Sequence, residues 1–292
     1  MSALTLAVFL LAQAAPATAP GTQVRALTVT LLGDKGQEVT DISAADVALA
    51  ENGVSRDITS FKPDGRPLSV AVLVGTSAAM GASYRLNVVE AVVGLVARLP
   101  QGARYALWTT GDRPTKVVDH TDDRRAAGEA LRRVAPQGGN MMLDALAEAS
   151  VDLKKLSREG DRTVVVAVTG TGPELSYRDK HRSAEEAEKN AELFLLVQIE
   201  GGEADYEMRS NLSYVMERLG RASGGRYEVI LSPMSTDNVL RKLSSHLRSS
   251  YRLAYATLPD LKKRKLELSV ARPGTEVFLP NASTKEASSG EP

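Results

Sequence analysis

The sequence predicts an α/β fold whose central sheet is doubly wound and mostly parallel, as in Rossmann-like proteins. Continuous apolar runs such as 68–74 and 193–199 are typical of strands that are covered on both faces. Helical patterns separate these runs, and repeated alternation of buried strands with amphipathic helices indicates a doubly wound sheet. Both ends of the chain alternate with period two, which predicts β structure on either side of the α/β core.

The amino-terminal β segment is predicted over residues 22–62. Within it Leu27, Val29 and Leu31 alternate with threonines before a Gly-Asp-Lys-Gly turn. The dipeptide Asn52-Gly53 separates two further apolar runs. Both residues tolerate positive φ, so this dipeptide predicts a β-hairpin.

The α/β core is predicted over residues 66–250, and its elements alternate regularly. Ser183 and Glu186 form a capping-box pattern that predicts a helix start. The other elements follow from the period of their apolar residues. Strands are predicted at 68–74, 103–109, 116–119, 163–169, 193–199 and 226–230, and helices at 86–96, 122–134, 141–156, 208–219 and 235–249.

The carboxy-terminal segment returns to β patterning over residues 251–280, where Leu266, Leu268 and Val270 share one face of a strand. Neither flanking segment has enough strands for a stable sheet of its own. We therefore expect residues 22–62 and 251–280 to pack together into one small β-sandwich that carries the α/β domain as an insertion. Residues 281–292, rich in Ser, Glu and Lys, predict a disordered tail.

The first twenty residues are typical of an export signal and a linker. A short apolar run, Ala3 to Leu11, is followed by Ala12-Gln13-Ala14, the small-residue spacing that signal peptidase prefers. This predicts a periplasmic or secreted protein. No other segment is long and apolar enough to cross a bilayer, so we expect no integral membrane segment in the mature chain.

Composition excludes several classes of function. Lys plus Arg and Asp plus Glu each number 36, so the formal charge is zero and nucleic acid is not an expected partner. The chain has no cysteine, which excludes disulfides, thiolate metal sites and cysteine nucleophiles.

Three sequence phrases around the core resemble one protein family. They are residues 42–53 (ISAADVALAENG), 251–255 (YRLAY) and 271–274 (ARPG). In this order around an α/β core, they are similar to the von Willebrand factor A (VWFA)-related domain proteins common in Acidobacteria. The resemblance implies a VWFA fold and a protein-interaction module that is not an enzyme.

The same resemblance implies a metal-ion-dependent adhesion site (MIDAS) at the ends of the strands. The family has Asp-x-Ser-x-Ser after the first core strand, where this chain has Gly75, Ser77 and Ala79. The family's central-loop Thr is Asn140 here, and its second Asp is Gly170. Mg²⁺ needs at least one carboxylate among its oxygen ligands. We therefore expect a vestigial site, with no bound metal and no cofactor.

Two other readings give these loops a chemical role. Asp112 or Asp144 could supply a relocated carboxylate, although Asp112 suits a turn and Asp144 suits capping of loop amides. Ser77 between a strand and a helix also resembles a relaxed nucleophile elbow of a serine hydrolase, with His246 as its base. The second flanking glycine and an oxyanion-hole phrase are missing, and the helical pattern around His246 predicts a helix-surface residue.

The preferred interpretation is a metal-free contact surface for a protein partner, because small uncharged residues stand at several strand ends. A structural alternative is that the β-sandwich makes the contacts and the α/β core is only a scaffold. The residues predicted for the contact surface are Thr76, Ser77, Asp112, Asn140, Met141 and Thr171.

Overall fold

A computed structural model describes residues 23–200, 206–257 and 264–280 of the chain. The export signal and linker predicted at 1–20 and the disordered tail predicted at 281–292 lie outside the described residues. Within these ranges no helix is both long and apolar enough to span a membrane.

The described elements occur in the order that the sequence predicts. The strands are β1 (Gln23–Gly33), β2 (Gln37–Glu38), β3 (Val47–Glu51), β4 (Val54–Arg56), β5 (Ile58–Pro63), β6 (Leu68–Val74), β7 (Arg104–Thr110), β8 (Pro114–Thr121), β9 (Arg162–Gly170), β10 (Leu193–Ile199), β11 (Arg226–Ile230), β12 (Ser250–Thr257), β13 (Leu266–Val270) and β14 (Glu276–Phe278). The helices are α1 (Gly81–Ser83), α2 (Val89–Ala97), α3 (Ala126–Arg133), α4 (Met142–Leu156), α5 (Lys180–Asn190), α6 (Tyr206–Ala222) and α7 (Thr236–Arg248), and a π-helical turn (Tyr84–Val88) joins α1 to α2.

The central sheet has six strands in the order β11-β10-β9-β6-β7-β8. Five run parallel, and β8 pairs antiparallel with β7 at one edge. The strand order reverses direction at β6, as in a doubly wound sheet, because β7 lies on one side of β6 and β9 on the other. The predicted fold class is confirmed.

Helices cover both faces of this sheet. One face packs against α2, α3 and α7, and the other packs against α4, α5 and α6. Strands β6, β9 and β10 are buried at every residue, which explains their largely apolar sequences. The amphipathic α7 buries Val239, Leu240, Leu243 and Leu247, a spacing that places one stripe of the helix on the sheet.

The flanking segments form two antiparallel sheets that share one apolar core. The first has the order β14-β1-β12-β5, with β2 also paired to β1, and the second has the order β13-β3-β4. Each sheet combines strands from both ends of the chain. Asn52 and Gly53 have φ values of 53° and 79° in the β3–β4 connection, so the predicted hairpin is present.

Three predicted helix starts are wrong, and the first is that of the helix predicted at 86–96, which already begins at Gly81 before the π-helical turn. The helix predicted from residue 122 begins at Ala126, because Thr121 Oγ accepts from the Asp123 amide and Asp123 Oδ1 accepts from the Arg125 amide, which holds this segment in turns. The predicted Ser183–Glu186 capping box does not form. Asp179 caps α5 by accepting from the next turn's amides, and Ser183 is buried one turn inside the helix.

Candidate functional site

The candidate site lies at the carboxyl edge of the central sheet, by which we mean the connections at 75–80, 110–113, 134–141, 171–179 and 231–235. Backbone hydrogen bonds join the first four of these connections. The Ala78 amide donates to the Gly138 carbonyl at 3.0 Å, and the Gln137 amide donates to the Thr76 carbonyl at 2.8 Å. The predicted site residues are therefore brought together at one edge, as expected for loops that follow neighbouring parallel strands.

Asn140 holds the centre of this edge together. Its side chain is fully buried; Thr110 Oγ1 donates to its Oδ1 at 2.8 Å, and its Nδ2 donates to Thr169 Oγ1 at 3.0 Å. Because Thr110 ends β7 and Thr169 is near the end of β9, the amide connects the two strands on either side of β6. The Asn140 oxygen is therefore already used in a structural hydrogen bond.

A covering loop, residues 171–177, folds over the ends of β6 and β9. The backbone amide of Asn140 donates to the Pro173 carbonyl at 2.9 Å, and the Leu175 amide donates to the backbone carbonyl of Asn140 at 2.7 Å. The loop therefore pairs with the segment before α4. A Cβ placed on Gly172 would lie 2.7 Å from Ala79 Cβ and 3.1 Å from Ser77 Oγ. This close approach closes the edge above Ser77, which is 1 % exposed.

Because the loop closes over this edge, the predicted contact surface is wrong for five of its six residues. Of its six residues only Asp112 is exposed, and the other five are between 0 and 5 % exposed. The sequence correctly indicates where these residues meet, but the covering loop and the Asn140 hydrogen bonds place their side chains in the interior. The buried residues are Thr76, Ser77, Asn140, Met141 and Thr171.

The residues at the MIDAS positions do not fit a divalent cation. Ser77 supplies one hydroxyl, and the described residues contain no group of three His, Asp or Glu side chains arranged to hold a metal. Space for the missing carboxylates is also filled. A Cβ on Gly75 would lie 2.7 Å from Thr169 Oγ1, and a Cβ on Gly170 would lie 2.8 Å from Met80 Sδ. Mg²⁺ is usually held by one or two carboxylates with other oxygens completing its octahedron, and neither MIDAS carboxylate position holds an acidic residue here.

The two aspartates considered for a relocated site have other roles. The Asp144 carboxylate accepts from the amides of Tyr177 and Arg178 at 3.0 Å each, so the predicted capping of loop amides is confirmed. Asp112 is exposed in a bend and lies against Gly138, whose φ of +69° requires glycine-like freedom at that position. Neither carboxylate belongs to a group of three or more His, Asp or Glu side chains that could hold a metal among the described residues.

Glu174 is a buried acid that the sequence did not single out. Its carboxylate accepts from the amides of Met142, Leu143 and Ser176, at 3.3, 3.4 and 3.3 Å, and from the Ser176 hydroxyl. The first two amides belong to the amino terminus of α4, which favours a negative charge. Burial nevertheless raises the pKa of Glu174 to about 7, and the hydrogen bonds only partly oppose it. A single glutamate in a loop gives no pattern by which sequence alone could predict this.

Opening of the covering loop should therefore depend on pH. The closed-state pKa of Glu174 is raised, so closure is strongest below the ordinary pKa of 4.5 and weakens as pH rises towards 7. We expect the opening constant of the Leu175 amide, measured by hydrogen exchange and corrected for intrinsic rates, to rise about tenfold between pH 5.5 and 7. Glu174→Gln should remove this dependence, whereas Glu185→Gln on the exposed face of α5 should retain it. An equal pH dependence in Glu174→Gln would contradict this role of the carboxylate.

His246 lies at the opposite end of the sheet from Ser77. It is fully buried, which corrects the predicted helix-surface position, and its ring packs edge-on against Phe278 at 4.9 Å. Arg162, which interacts electrostatically with it, begins β9 and pairs with the first residue of β6, whereas Ser77 follows the last residue of β6. The fold therefore separates these two side chains by the length of the sheet, and they do not form a nucleophile–base pair.

Exposed apolar side chains also concentrate at the carboxyl edge. Among the large apolar residues in the described parts of the chain, the four most exposed are Tyr177, Met234, Leu231 and Leu86, at 93, 82, 80 and 76 %. Tyr177 ends the covering loop, and the other three lie beside the ends of β11 and β6. The segment Pro233–Ser235 contacts the turn Tyr84–Val88, so the segments that carry Met234 and Leu86 are neighbours.

Fold and site together define a class of protein. The chain has an open, doubly wound α/β domain with an antiparallel edge strand, and its exposed loops and apolar side chains gather at the carboxyl edge. Residues 70–173 match the family model described as the von Willebrand factor type A domain. The predicted von Willebrand factor A fold is therefore confirmed, and the family match itself covers residues 70–173.

Solved structures support the same fold. A von Willebrand factor type A protein from Catenulispora acidiphila is 12 % identical, with a TM-score of 0.53 over 92 % of this chain and 70 % of that chain. Proximal thread matrix protein 1 from the mussel byssus is 16 % identical, with a TM-score of 0.51 over 68 % of this chain and 51 % of that chain. A second structure of the mussel protein, 16 % identical with a TM-score of 0.50 over 67 % of this chain and 48 % of that chain, has a zinc-occupied MIDAS motif. No curated protein sequence matches the chain.

Proposed function

We propose that this chain is a non-enzymatic protein-interaction module of an exported bacterial protein, and that it binds its partner through the carboxyl edge without a metal ion. The observation that carries the proposal is the concentration of exposed apolar side chains at this edge. Isolated exposed apolar residues are normal on protein surfaces, but a concentration of the most exposed ones is typical of an interaction site.

The exposed residues also have the composition of interaction surfaces. Tyr177 and Met234 belong to types that are enriched at protein interfaces, and Leu231 adds an aliphatic side chain beside Met234. Tyr177 ends the covering loop, which backbone hydrogen bonds to Asn140 hold in place. Preorganisation of this kind lowers the entropic cost of binding.

Metal independence is supported by the chemistry of the MIDAS positions. Gly75 and Gly170 stand where the family has carboxylates, and the adjacent Thr169 and Met80 fill the space that larger side chains would need. The covering loop occupies the position above Ser77. A partner that binds here is therefore expected to contact the outer residues of the edge and not a coordinated cation.

The non-enzymatic and exported parts of the proposal have separate supports. Ser77 is the nucleophile candidate at this edge, and it is buried and far from His246. Export is supported by the sequence of residues 3–14, which is typical of a signal peptide. Cleavage after Ala14, measured as the amino-terminal sequence of protein recovered outside the cytoplasm, tests the second part.

Site-specific cross-linking tests the surface. A photoreactive phenylalanine analogue replaces Met234 or Tyr177, and Val54 of the β-sandwich, 55 % exposed, serves as the matched control. We expect one and the same partner to be cross-linked from both edge positions and not from Val54, with equal yield in EDTA and in Mg²⁺. Leu231→Asp should lower the yield at position 177 about tenfold, because a buried charge is costly at an apolar contact.

Two outcomes would contradict the proposal. Cross-links that form from Val54 but not from the edge positions would place the contact on the β-sandwich, the alternative considered from the sequence. Cross-links from the edge that disappear in EDTA would show that the interaction depends on a metal ion.

A further inference from the structure

An open polar cleft lies at the amino end of the central sheet, opposite the carboxyl edge. Its volume is about 970 Å³, which is near the upper end of the ~300–1,000 Å³ typical of ligand sites. The start of β9 and the last turns of α4, α5 and α6 form one side, and β1 and β12 of the flanking sheet form the other. The cleft therefore lies between the α/β domain and the flanking β-sheet.

The lining of the cleft has an excess of positive charge. Six cationic side chains line it against two carboxylates, Glu188 and Glu192. Glu188 pairs with Arg218 at 2.8 Å, and Glu192 pairs with Arg66 at 3.0 Å, so both carboxylates already have partners. Of the six cations, Arg221 also pairs outside the cleft, with Glu217. Four form no ion pair with any residue that the structure describes, namely Lys154, Arg162, Lys189 and Arg252.

Helix ends account for the positions of two of these four cations but not for those of the other two. Lys154 and Lys189 are in the last turns of α4 and α5, where the helix dipole favours a positive charge. Arg162 and Arg252 lie on strands β9 and β12. Arg252 is also directly opposite Lys62 on β5, an arrangement of like charges that destabilises a strand pair.

Arg162 is the central group of the cleft. It is 3 % exposed, its Nη1 donates to Ser250 Oγ at 2.8 Å, and its Nε has no hydrogen-bond partner among the described residues. No carboxylate of the described residues lies within ion-pair distance of Arg162; Asp64 and Glu192 act on it only from further away, and burial lowers the pKa of Arg162 to about 10. Arginine presents a planar set of donors that matches carboxylate and phosphate oxygens.

We propose that this cleft binds an oxyanion, the carboxylate or phosphate group of a small ligand, with Arg162 at its base and Arg252 as a second contact. The exposed Lys154 and Lys189 attract the anion at the rim. This site is separate from the carboxyl edge and does not depend on the function proposed for that edge. Bound anion would also connect the α/β domain to the flanking sheet.

Nuclear magnetic resonance of the arginine side chains tests the site directly. The Nε–H signal of Arg162, assigned through bonds from the backbone, is followed while inorganic phosphate or glutarate is added at constant ionic strength. We expect a saturable shift with at least one of these anions. Arg252→Gln should weaken binding about tenfold, since it removes a charge-assisted contact without altering the buried Arg162. Arg125→Gln removes an equal charge from a side chain that is 90 % exposed elsewhere, and should leave the affinity unchanged.

The two anions separate the two sources of the group. A response to phosphate alone indicates a phosphorylated ligand, and a response to glutarate alone indicates a carboxylate ligand. The proposal is overturned if neither anion produces a saturable shift, if chloride produces the same shift, or if Arg125→Gln weakens binding as much as Arg252→Gln.

Discussion

Restoring the two MIDAS carboxylates, with Gly75→Asp and Gly170→Asp together, is expected to destabilise the protein and not to create a metal site. A Cβ on Gly75 would lie 2.7 Å from Thr169 Oγ1 and 2.9 Å from Thr169 Cα, and the second atom is backbone that cannot rotate away. A Cβ on Gly170 would meet Met80 Sδ at 2.8 Å. Overpacking and the burial of two charges should cost about 4 kcal/mol or more in the free energy of unfolding.

Urea unfolding in EDTA and in millimolar Mg²⁺, Mn²⁺ or Ca²⁺ measures this effect. A cation that binds only the folded state would raise its stability by mass action, so the absence of any rise in either protein is the expected result. Gly65→Asp is the matched control, because nothing lies within 4 Å of a Cβ at that glycine. We expect Gly65→Asp to change stability by less than about 0.5 kcal/mol. A saturable, metal-dependent rise in the double variant would mean that the edge can open to form a coordination site.

The fold could be predicted from the sequence because its signals are periodic. Strand β10 is buried throughout, and its apolar run has the same bounds in sequence and structure. The apolar stripe of α7 and the Asn52-Gly53 hairpin were equally direct signals. Helix starts were less predictable, since the caps at Asp179 and in the turns before Ala126 depend on which of several polar residues bonds the backbone.

The location of the carboxyl edge was predictable, but its surface was not. Strand ends identify which loops meet, because parallel strands bring their carboxyl ends together. Whether Ser77 is exposed depends on the path of residues 171–177, and a loop path follows from tertiary contacts such as those of Asn140 and Glu174. The exposure of residues such as Met234 could not be predicted, because the sequence alone does not distinguish an exposed apolar residue after a strand from a core residue.

The amino edge of the sheet illustrates the same limit. His246 was expected at the helix surface from the leucines around it, yet the flanking sheet covers that side of α7 and places Phe278 against its ring. The helical period of α7 and the alternation of the flanking strands each predict one element, and neither predicts the contact between the inserted domain and its flanks. The two buried groups at this end, His246 and Arg162, are a consequence of that contact.

Burial of His246 is expected to make the protein less stable as the pH falls from 6.5 to 5. Desolvation is the main cause that holds the pKa of His246 well below 6.5, and the nearby charges of Arg162 and Arg226 lower it further. The unfolded chain, whose histidine titrates near 6.5, therefore binds a proton that the folded chain does not. Stability from this group is present above pH 6.5 and is lost at about 1.4 kcal/mol per pH unit below it.

His246→Leu should remove this loss, because leucine fills a similar volume and carries no titratable group. The free energy of unfolding is measured by urea titration at pH 7.5 and 5.0 for both proteins, and the difference between them cancels the contribution of Glu174, which has the opposite sign. Relative to the unmodified chain, the variant should gain about 2 kcal/mol at pH 5.0 over its value at pH 7.5. His181→Leu, at an exposed ring in α5, should show no such gain. The prediction is contradicted if His246→Leu gains no more than His181→Leu does. In that case acid destabilises the protein through other groups, and the buried imidazole is protonated without unfolding.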